Sequence, residues 1–266
     1  RQMCIRDRGS AAYVWVDNTG KWLLSACYGE GLVGSSKIEN RIVTGEPVSV
    51  LDVGKKAHCI QTSPDNRFAF CPHTGELNRV DQFTFDAKTG KLALNDPPFA
   101  EGAEGAGPRH LQFHPNGKWV YLVNEQSKSV TQCVYDAEKG TLEKRKTLST
   151  HPADWDPTKG SCADIEITSD GKFLYASNRT HDSLAVFSID PESGELTAHG
   201  QTPTEAIPRS FNLIGCGGPE EFIVAAGQKS NTLIVYRRDT NTGALSPLEK
   251  YDCGKSPSWL VGVKLD

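Results

Sequence analysis

The chain has 266 residues, 37% hydrophobic and 23% charged, a balance that suits a soluble globular protein with room for one large all-β domain. Its 33 acidic and 29 basic side chains are intermixed and leave a net charge of −4, so no electrostatic footprint for nucleic acid or an anionic membrane is present. No apolar run approaches the roughly 20 residues that a membrane-spanning helix needs.

Residues 1–8, RQMCIRDR, carry three arginines and no apolar core of the kind a signal peptide has. They read as a lead foreign to the protein, and residues 9–266 as one domain. Within that domain a phrase recurs: a polar turn, a Gly or Asn (once a Glu), a charged residue, then an aromatic-led run into small residues. The copies are NTGKWLLSA (18–26), SPDNRFAFC (63–71), HPNGKWVYLVN (114–124), TSDGKFLYASN (168–178) and a degenerate GPEEFIVAA (218–226). Aligned on Gly20, Asn66, Gly117, Gly171 and Glu220, they step by 46, 51, 54 and 49 residues. A second phrase, FDAKTGKL, YDAEKGTL, IDPESGEL and RDTNTGAL, keeps the same beat, with Gly90, Gly140, Gly194 and Gly243 at steps of 50, 54 and 49. A period near fifty built of strands and turns indicates a propeller, in which each repeat buries its faces against its neighbours.

The clearest repeat begins at Gly107. HLQFH (110–114) alternates as a strand, PNGK (115–118) is an Asn-Gly hairpin turn, and WVYLVN (119–124) is the returning strand. SVTQCVYD (129–136) is a third strand, and the more polar TLEKRKTLS (141–149) an outer fourth. The next repeat gives CADIEI (162–167), FLYASN (173–178), SLAVFSID (183–190) and ELTAHGQT (195–202) in the same roles. Four antiparallel strands in about fifty residues make a propeller blade. The fold expected is an all-β propeller with about five blades present, and the tail SPSWLVGVKLD (256–266) reads as the first strand of a further one. Because closed propellers often share a blade between the two chain ends, a ring of seven lacking one to two N-terminal blades is expected, with a closed five-blade ring as the alternative.

The eight cysteines are scattered without a C-x-x-C pair, so no zinc site is expected. Cys71 and Cys133 lie in apolar strand patterns and read as small core residues. Reduced thiols fit a cytoplasmic setting, and export stays open. His110 and His114 lie four apart without a carboxylate or thiol partner, so no metal is expected there. GAEGAG (102–107) lacks a strand-to-helix context and reads as an inter-blade loop, not a nucleotide cradle, so no cofactor is expected.

Turn spacing points to one rim. Residues equally far from a tight turn lie side by side at the open end of an antiparallel pair. Arg109 is eight before Gly117 and Glu125 eight after it; His58 is eight before Asn66, and Arg179 eight after Gly171. A histidine, two arginines and a glutamate from three successive repeats are thus expected at one level. Taken singly, each reads as well as polar rim, and the Arg–Glu pair as a surface salt bridge.

GPRHLQFHPNGKWVYLVNE (107–125), ITSDGKFLYASNRTHDSLAVFSIDPESGEL (167–196) and IPRSF (207–211) resemble the lactonase family of seven-bladed propellers, which includes propeller-type 6-phosphogluconolactonases and fungal carboxy-muconate cyclases. The resemblance runs from about residue 10 to 266. It implies an active site of His58, Arg109, Glu125 and Arg179, matched through the A-H, G-P-R-H, V-N-E and S-N-R motifs. It also implies a small anionic lactone as partner, with 6-phosphogluconolactone foremost. Two departures bear on the pocket. The segment before the histidine is shortened to GKKAHCI (54–60), and the family's A-E-I-H reads ADIEI (163–167), with Asp164 and Glu166 in place of Glu and His.

Lactone hydrolysis needs a proton acceptor for water, a cation for the carbonyl oxygen and a hold on the anionic substrate. Glu125 or His58 can take the proton, and Arg109 and Arg179 can bind phosphate or carboxylate or steady the oxyanion. Arg209 and His110 are further substrate-binding candidates. His110, next to Arg109 on a strand, is expected to face the other way. A muconolactone-type cycloisomerase and a non-catalytic binding scaffold are the alternatives. Oligomeric state is not legible.

Overall fold

Three copies of the first phrase fold into a turn and a strand because a polar side chain three residues before the turn accepts the amide of the aromatic. Asp17 Oδ1 takes the amide of Trp22 at 2.8 Å, Ser63 Oγ that of Phe68 at 3.1 Å, and Thr168 Oγ1 that of Phe173 at 3.0 Å. The computed structural model describes residues 10–215 and 221–263. The lead at 1–8 with Cys4, and the fifth turn with Cys216 and Glu220, lie outside the described residues.

Five four-stranded antiparallel sheets follow one another along the chain, each with its strands in sequence order. The first holds β1 (Ala11–Val16), β2 (Trp22–Cys27), β3 (Leu32–Glu39) and β4 (Ile42–Asp52). The second holds β5 (Gln61–Thr62), β6 (Phe68–His73), β7 (Arg79–Asp86) and β8 (Lys91–Glu101). In the third are β9 (Pro108–Phe113), β10 (Trp119–Asn124), β11 (Ser129–Asp136) and β12 (Thr141–Ser149). The fourth comprises β13 (Ser161–Ile167), β14 (Phe173–Arg179), β15 (Ser183–Ile189) and β16 (Leu196–Pro203), and the fifth β17 (Pro208–Ile214), β18 (Phe222–Gly227), β19 (Thr232–Arg238) and β20 (Leu245–Asp252). This is blade construction, as the repeats require. β10, β11 and β12 coincide with the strands read from sequence. β9 starts two residues earlier than HLQFH and ends before His114, whose Nε2 lies 2.9 Å from the Gly171 carbonyl and whose Nδ1 accepts the Asn116 amide. That histidine serves the turn.

The residues gather into two compact units. One comprises residues up to Phe113 with Gly117–Val120 and Cys133–Arg145; the other comprises His114–Asn116, Tyr121–Gln132 and residues from Lys146 on. The core of the first includes Leu24, Val33, Ile60, Ala69, Cys71 and Phe83, and that of the second Phe173, Tyr175, Leu184, Phe211, Ile223 and Tyr236. Middle strands such as β6 and β10 are buried throughout, and outer ones such as β12 and β20 are mostly exposed. Of the described cysteines, Cys27, Cys59, Cys71, Cys133 and Cys162 are buried free thiols and Cys253 is a partly exposed one.

The two phrases share a beat because they touch. A Cβ built on Gly90 would fall inside the indole of Trp22, one on Gly140 inside the ring of Phe68, and one on Gly243 inside the ring of Phe173. Each aromatic thus lies flush against the turn glycine of the following sheet. At the remaining joint, and again at Gly243, a tyrosine adds its hydroxyl: Tyr121 Oη donates to the Gly194 carbonyl at 2.6 Å and Tyr175 Oη to that of Gly243 at 2.7 Å.

The tail departs from expectation. Residues 256–263 form no strand, and 264–266 lie outside the described residues. The amides of Leu260 and Gly262 bond instead to the side chains of Ser210 and Asn212, at 3.1 and 3.0 Å. Two side-chain acceptors of β17 thus hold the segment.

The glycine contact is testable. Gly140 and Gly20 both have left-handed backbones, with φ of +67° and +69°, but nothing lies within 4 Å of a Cβ on Gly20. Gly20→Ala is expected to cost about 1 kcal/mol for the backbone alone. Gly140→Ala is expected to lose about 1–3 kcal/mol more by overpacking. Urea unfolding of the two variants checks the difference.

Candidate active site

Within the first unit, three of the expected residues meet. The shortened segment GKKAHCI runs against the end of β6: the His58 amide donates to the Pro72 carbonyl at 3.0 Å, and Ala57 bridges to His73. Buried His73 anchors this segment, with Nδ1 3.3 Å from the Lys55 carbonyl and Nε2 3.0 Å from Asp81, which Arg79 also pairs at 2.7 Å. The His58 ring stands 5.1 Å from that of His110. Arg109 Nη1 lies 3.1 Å from His110 Nε2. A guanidinium can only donate, so this imidazole nitrogen accepts and carries no proton.

His110 therefore does not turn away from Arg109, as strand alternation suggested. The guanidinium is long enough to reach back to its neighbour's ring, so the two side chains act together. Arg109 is 2% exposed, a rare state for a guanidinium.

Two tyrosines escaped the sequence reading. Tyr28 stands edge-on to His58 at 5.5 Å and 81°, and Tyr13 edge-on to His110 at 5.3 Å and 72°. Tyr28 carried a usable signal: it lies eight residues after Gly20, the same offset as Glu125 from Gly117 and Arg179 from Gly171.

Within the second unit, Glu125 and Arg179 form an ion pair, Oε1 to Nη2 3.3 Å, with side chains 28% and 16% exposed. The backbone of one residue steadies both: the Cys162 carbonyl accepts Arg179 Nη2 at 2.9 Å, and the Cys162 amide donates to the Glu125 carbonyl at 3.2 Å. The asparagines of V-N-E and S-N-R explain why both residues sit where they do. Asn124 Nδ2 reaches Ser129 Oγ at 2.9 Å, and Asn178 Nδ2 reaches Ser183 Oγ at 3.2 Å. Each buried amide staples the hairpin loop that follows, fixing the residue at the strand's end.

Arg179 pairs with Ser161, ten residues before Gly171, not with Ala163: the turn is centred just before Gly171, and a bulge between Cys162 and Ile165 shifts the register by one residue more. β1 shifts between Ala11 and Tyr13, and β17 between Pro208 and Ser210. Arg209 occupies that last bulge and is partly buried. The substituted pair of ADIEI stitches β13 to β17. Asp164 accepts the Phe211 amide at 3.3 Å and Glu166 the Asn212 side-chain amide at 3.2 Å. Burial, then the nearby Asp164 charge, pushes the Glu166 carboxyl well above the usual range.

Just beyond Arg179, His151 and Trp155 stack at 5.7 Å and 18°, and His181 stands edge-on to both.

Built of four-stranded antiparallel blades, the chain is a propeller whose strand ends carry histidine, arginine and glutamate side chains. Its sequence matches the family described as "Lactonase, 7-bladed beta-propeller" over residues 2–262, and the protein belongs to that family. It is 40% identical to the 6-phosphogluconolactonase of Pectobacterium carotovorum subsp. carotovorum over 258 residues, covering 97% of this chain and 76% of the relative. It is 38% identical to the enzyme of that name from Pectobacterium atrosepticum over the same coverage. The periplasmic gluconolactonase of Pseudomonas aeruginosa superposes with a TM-score of 0.82 at 26% identity, over 92% of this chain and 71% of that one. No helix among the described residues is long and apolar enough to cross a membrane.

His151 sets a pH dependence. Burial first, then the charges of His181 and Lys128, lower its imidazole from 6.5 to about 4. Between those values the unfolded chain binds the proton and the native fold does not. Stability contributed by this group is therefore full above pH 6.5 and falls as pH drops toward 4, by up to about 3 kcal/mol. His151→Phe is expected to flatten that slope, as measured by urea midpoints at pH 7, 5.5 and 4.

Proposed function

We propose that the protein is a lactonase that hydrolyses 6-phosphogluconolactone to 6-phosphogluconate. The observation that carries this reading is the fixed Glu125–Arg179 pair, a base and a forked cation both held by the backbone of Cys162. The names of the Pectobacterium relatives supply the substrate.

In this scheme Glu125 takes a proton as water attacks the lactone carbonyl carbon. Arg179 steadies the negative charge that collects on the carbonyl oxygen. Collapse of the tetrahedral intermediate breaks the ring C–O bond, and His58 gives its proton to the departing ring oxygen. The new carboxyl group then ionises, releasing one proton overall. Arg109 binds the substrate's anionic group, where its burial leaves the interaction little screened. His110 orients Arg109 by accepting its Nη1, and Arg209 adds a second cation for the substrate. The free thiols suit a reducing compartment, and we assign a cytoplasmic setting on that ground.

Acid release from freshly generated 6-phosphogluconolactone, corrected for spontaneous opening, tests the reading. Glu125→Gln is expected to lower kcat by about 10²–10⁴-fold, the usual weight of a general base. Arg109→Ala is expected to act chiefly on KM. Unaltered protein that matches the blank, or a Glu125→Gln form as fast as the parent, would refute it; turnover of muconolactone instead would favour a cycloisomerase.

A further inference from the structure

The loop from β12 to β13, residues 150–160, is eleven residues long, against eight, six and four for the other joins between consecutive sheets. It carries the stacked His151 and Trp155. It is anchored at both ends. Thr150 Oγ1 donates to the Lys128 carbonyl at 2.9 Å, and Gly160 abuts the Arg179 carbonyl, two residues before Cys162, whose backbone holds Arg179 and Glu125. His181, two residues after Arg179, meets both rings, at 5.3 and 4.6 Å, with its Nδ1 tied to Ser183 Oγ at 2.7 Å. The ring cluster is thus fastened to the catalytic pair.

Two buried nitrogens of this cluster lack a hydrogen-bond partner among the described residues: His151 Nε2 and Trp155 Nε1. Their chemistry differs. Thr150 directs its hydroxyl proton to Lys128, so in its 3.3 Å contact with His151 Nδ1 the imidazole is the donor. Nε2 of the neutral ring then holds a lone pair, and the indole N–H can only donate. An acceptor and a donor on two stacked rings fit a group that does both, which is a hydroxyl. A phosphate or carboxylate, all acceptor, would meet the indole and leave the imidazole unmet.

We propose that His151 and Trp155 form a hydroxyl-binding subsite that grips the polyol part of the lactone and sets its carbonyl against Glu125 and Arg179; this rests on the lactonase reading. Residues 153, 154 and 156–159 are exposed, and Lys128 Nζ donates to the Pro157 carbonyl at 2.6 Å, so the ligand enters when that tie opens and the middle of the loop lifts.

Steady-state hydrolysis of 6-phosphogluconolactone and of δ-valerolactone, which has the same ring size and no hydroxyls, tests it. Trp155→Phe removes the N–H and His151→Phe the lone pair, while each keeps a ring. Each is expected to raise KM for the hydroxylated lactone about tenfold, the weight of one hydrogen bond, with kcat held within about twofold. Turnover of δ-valerolactone is expected to stay unchanged. Equal losses on both lactones, or none on either, overturn the proposal. A second readout is independent of turnover: gluconate is expected to change the tryptophan fluorescence of the unaltered chain and not that of Trp155→Phe. A full response in the variant, or none in the parent, overturns the subsite. If the parent hydrolyses neither lactone, the lactonase reading fails, and the gluconate titration alone decides the subsite.

Discussion

An aromatic ring laid flat on a glycine of the following sheet is the contact on which this fold depends. Trp22 on Gly90, Phe68 on Gly140 and Phe173 on Gly243 leave no room for a side chain at the glycine. Sheets of this kind bury both faces, so each joint must bring backbone close to a large apolar surface. Glycine permits that approach and the left-handed backbone of the turn at once. The upstream polar residue, Asp17, Ser63 or Thr168, fixes the aromatic by accepting its amide, and the joint is determined from both sides.

Rigid joints make the strand ends usable. A residue at the end of a second strand has no ladder partner beyond it and would fray, but Asn124 and Asn178 staple the loops behind Glu125 and Arg179. The backbone of Cys162 then links the two residues across consecutive sheets through its carbonyl and its amide. Charged groups placed by buried amides and backbone lose little freedom when a substrate arrives, which is what a pre-organised site requires.

The first unit solves a different problem. A buried guanidinium needs nearby acceptors, and His110 supplies one through Nε2. His58 is set in that same group of rings by Tyr28 and by the hydrogen bond of its amide to Pro72. The glycines and aromatics that hold the sheets, and the titratable residues that face the rim, are distinct sets of side chains.

Much of this was legible in the sequence, since blade architecture follows from local patterns: turn residues, alternating apolar strands and a repeat near fifty residues. The strand limits of the third and fourth sheets, to within two residues, came from spacing of that kind; the same spacing set Glu125 beside Arg109, whereas its ion pair is with Arg179. The orientation of His110, the one-residue register shift before Arg179, the role of Tyr13 and the absence of a strand over residues 256–263 did not. Those features depend on bulges, on the reach of a long guanidinium and on side-chain acceptors offered by another strand, none of which leaves a periodic mark. The sequence by itself determined which elements form and in what order, because backbone geometry and burial period are local properties. Only the tertiary structure decided which side chains face one another, because that depends on register and contact between residues tens of positions apart.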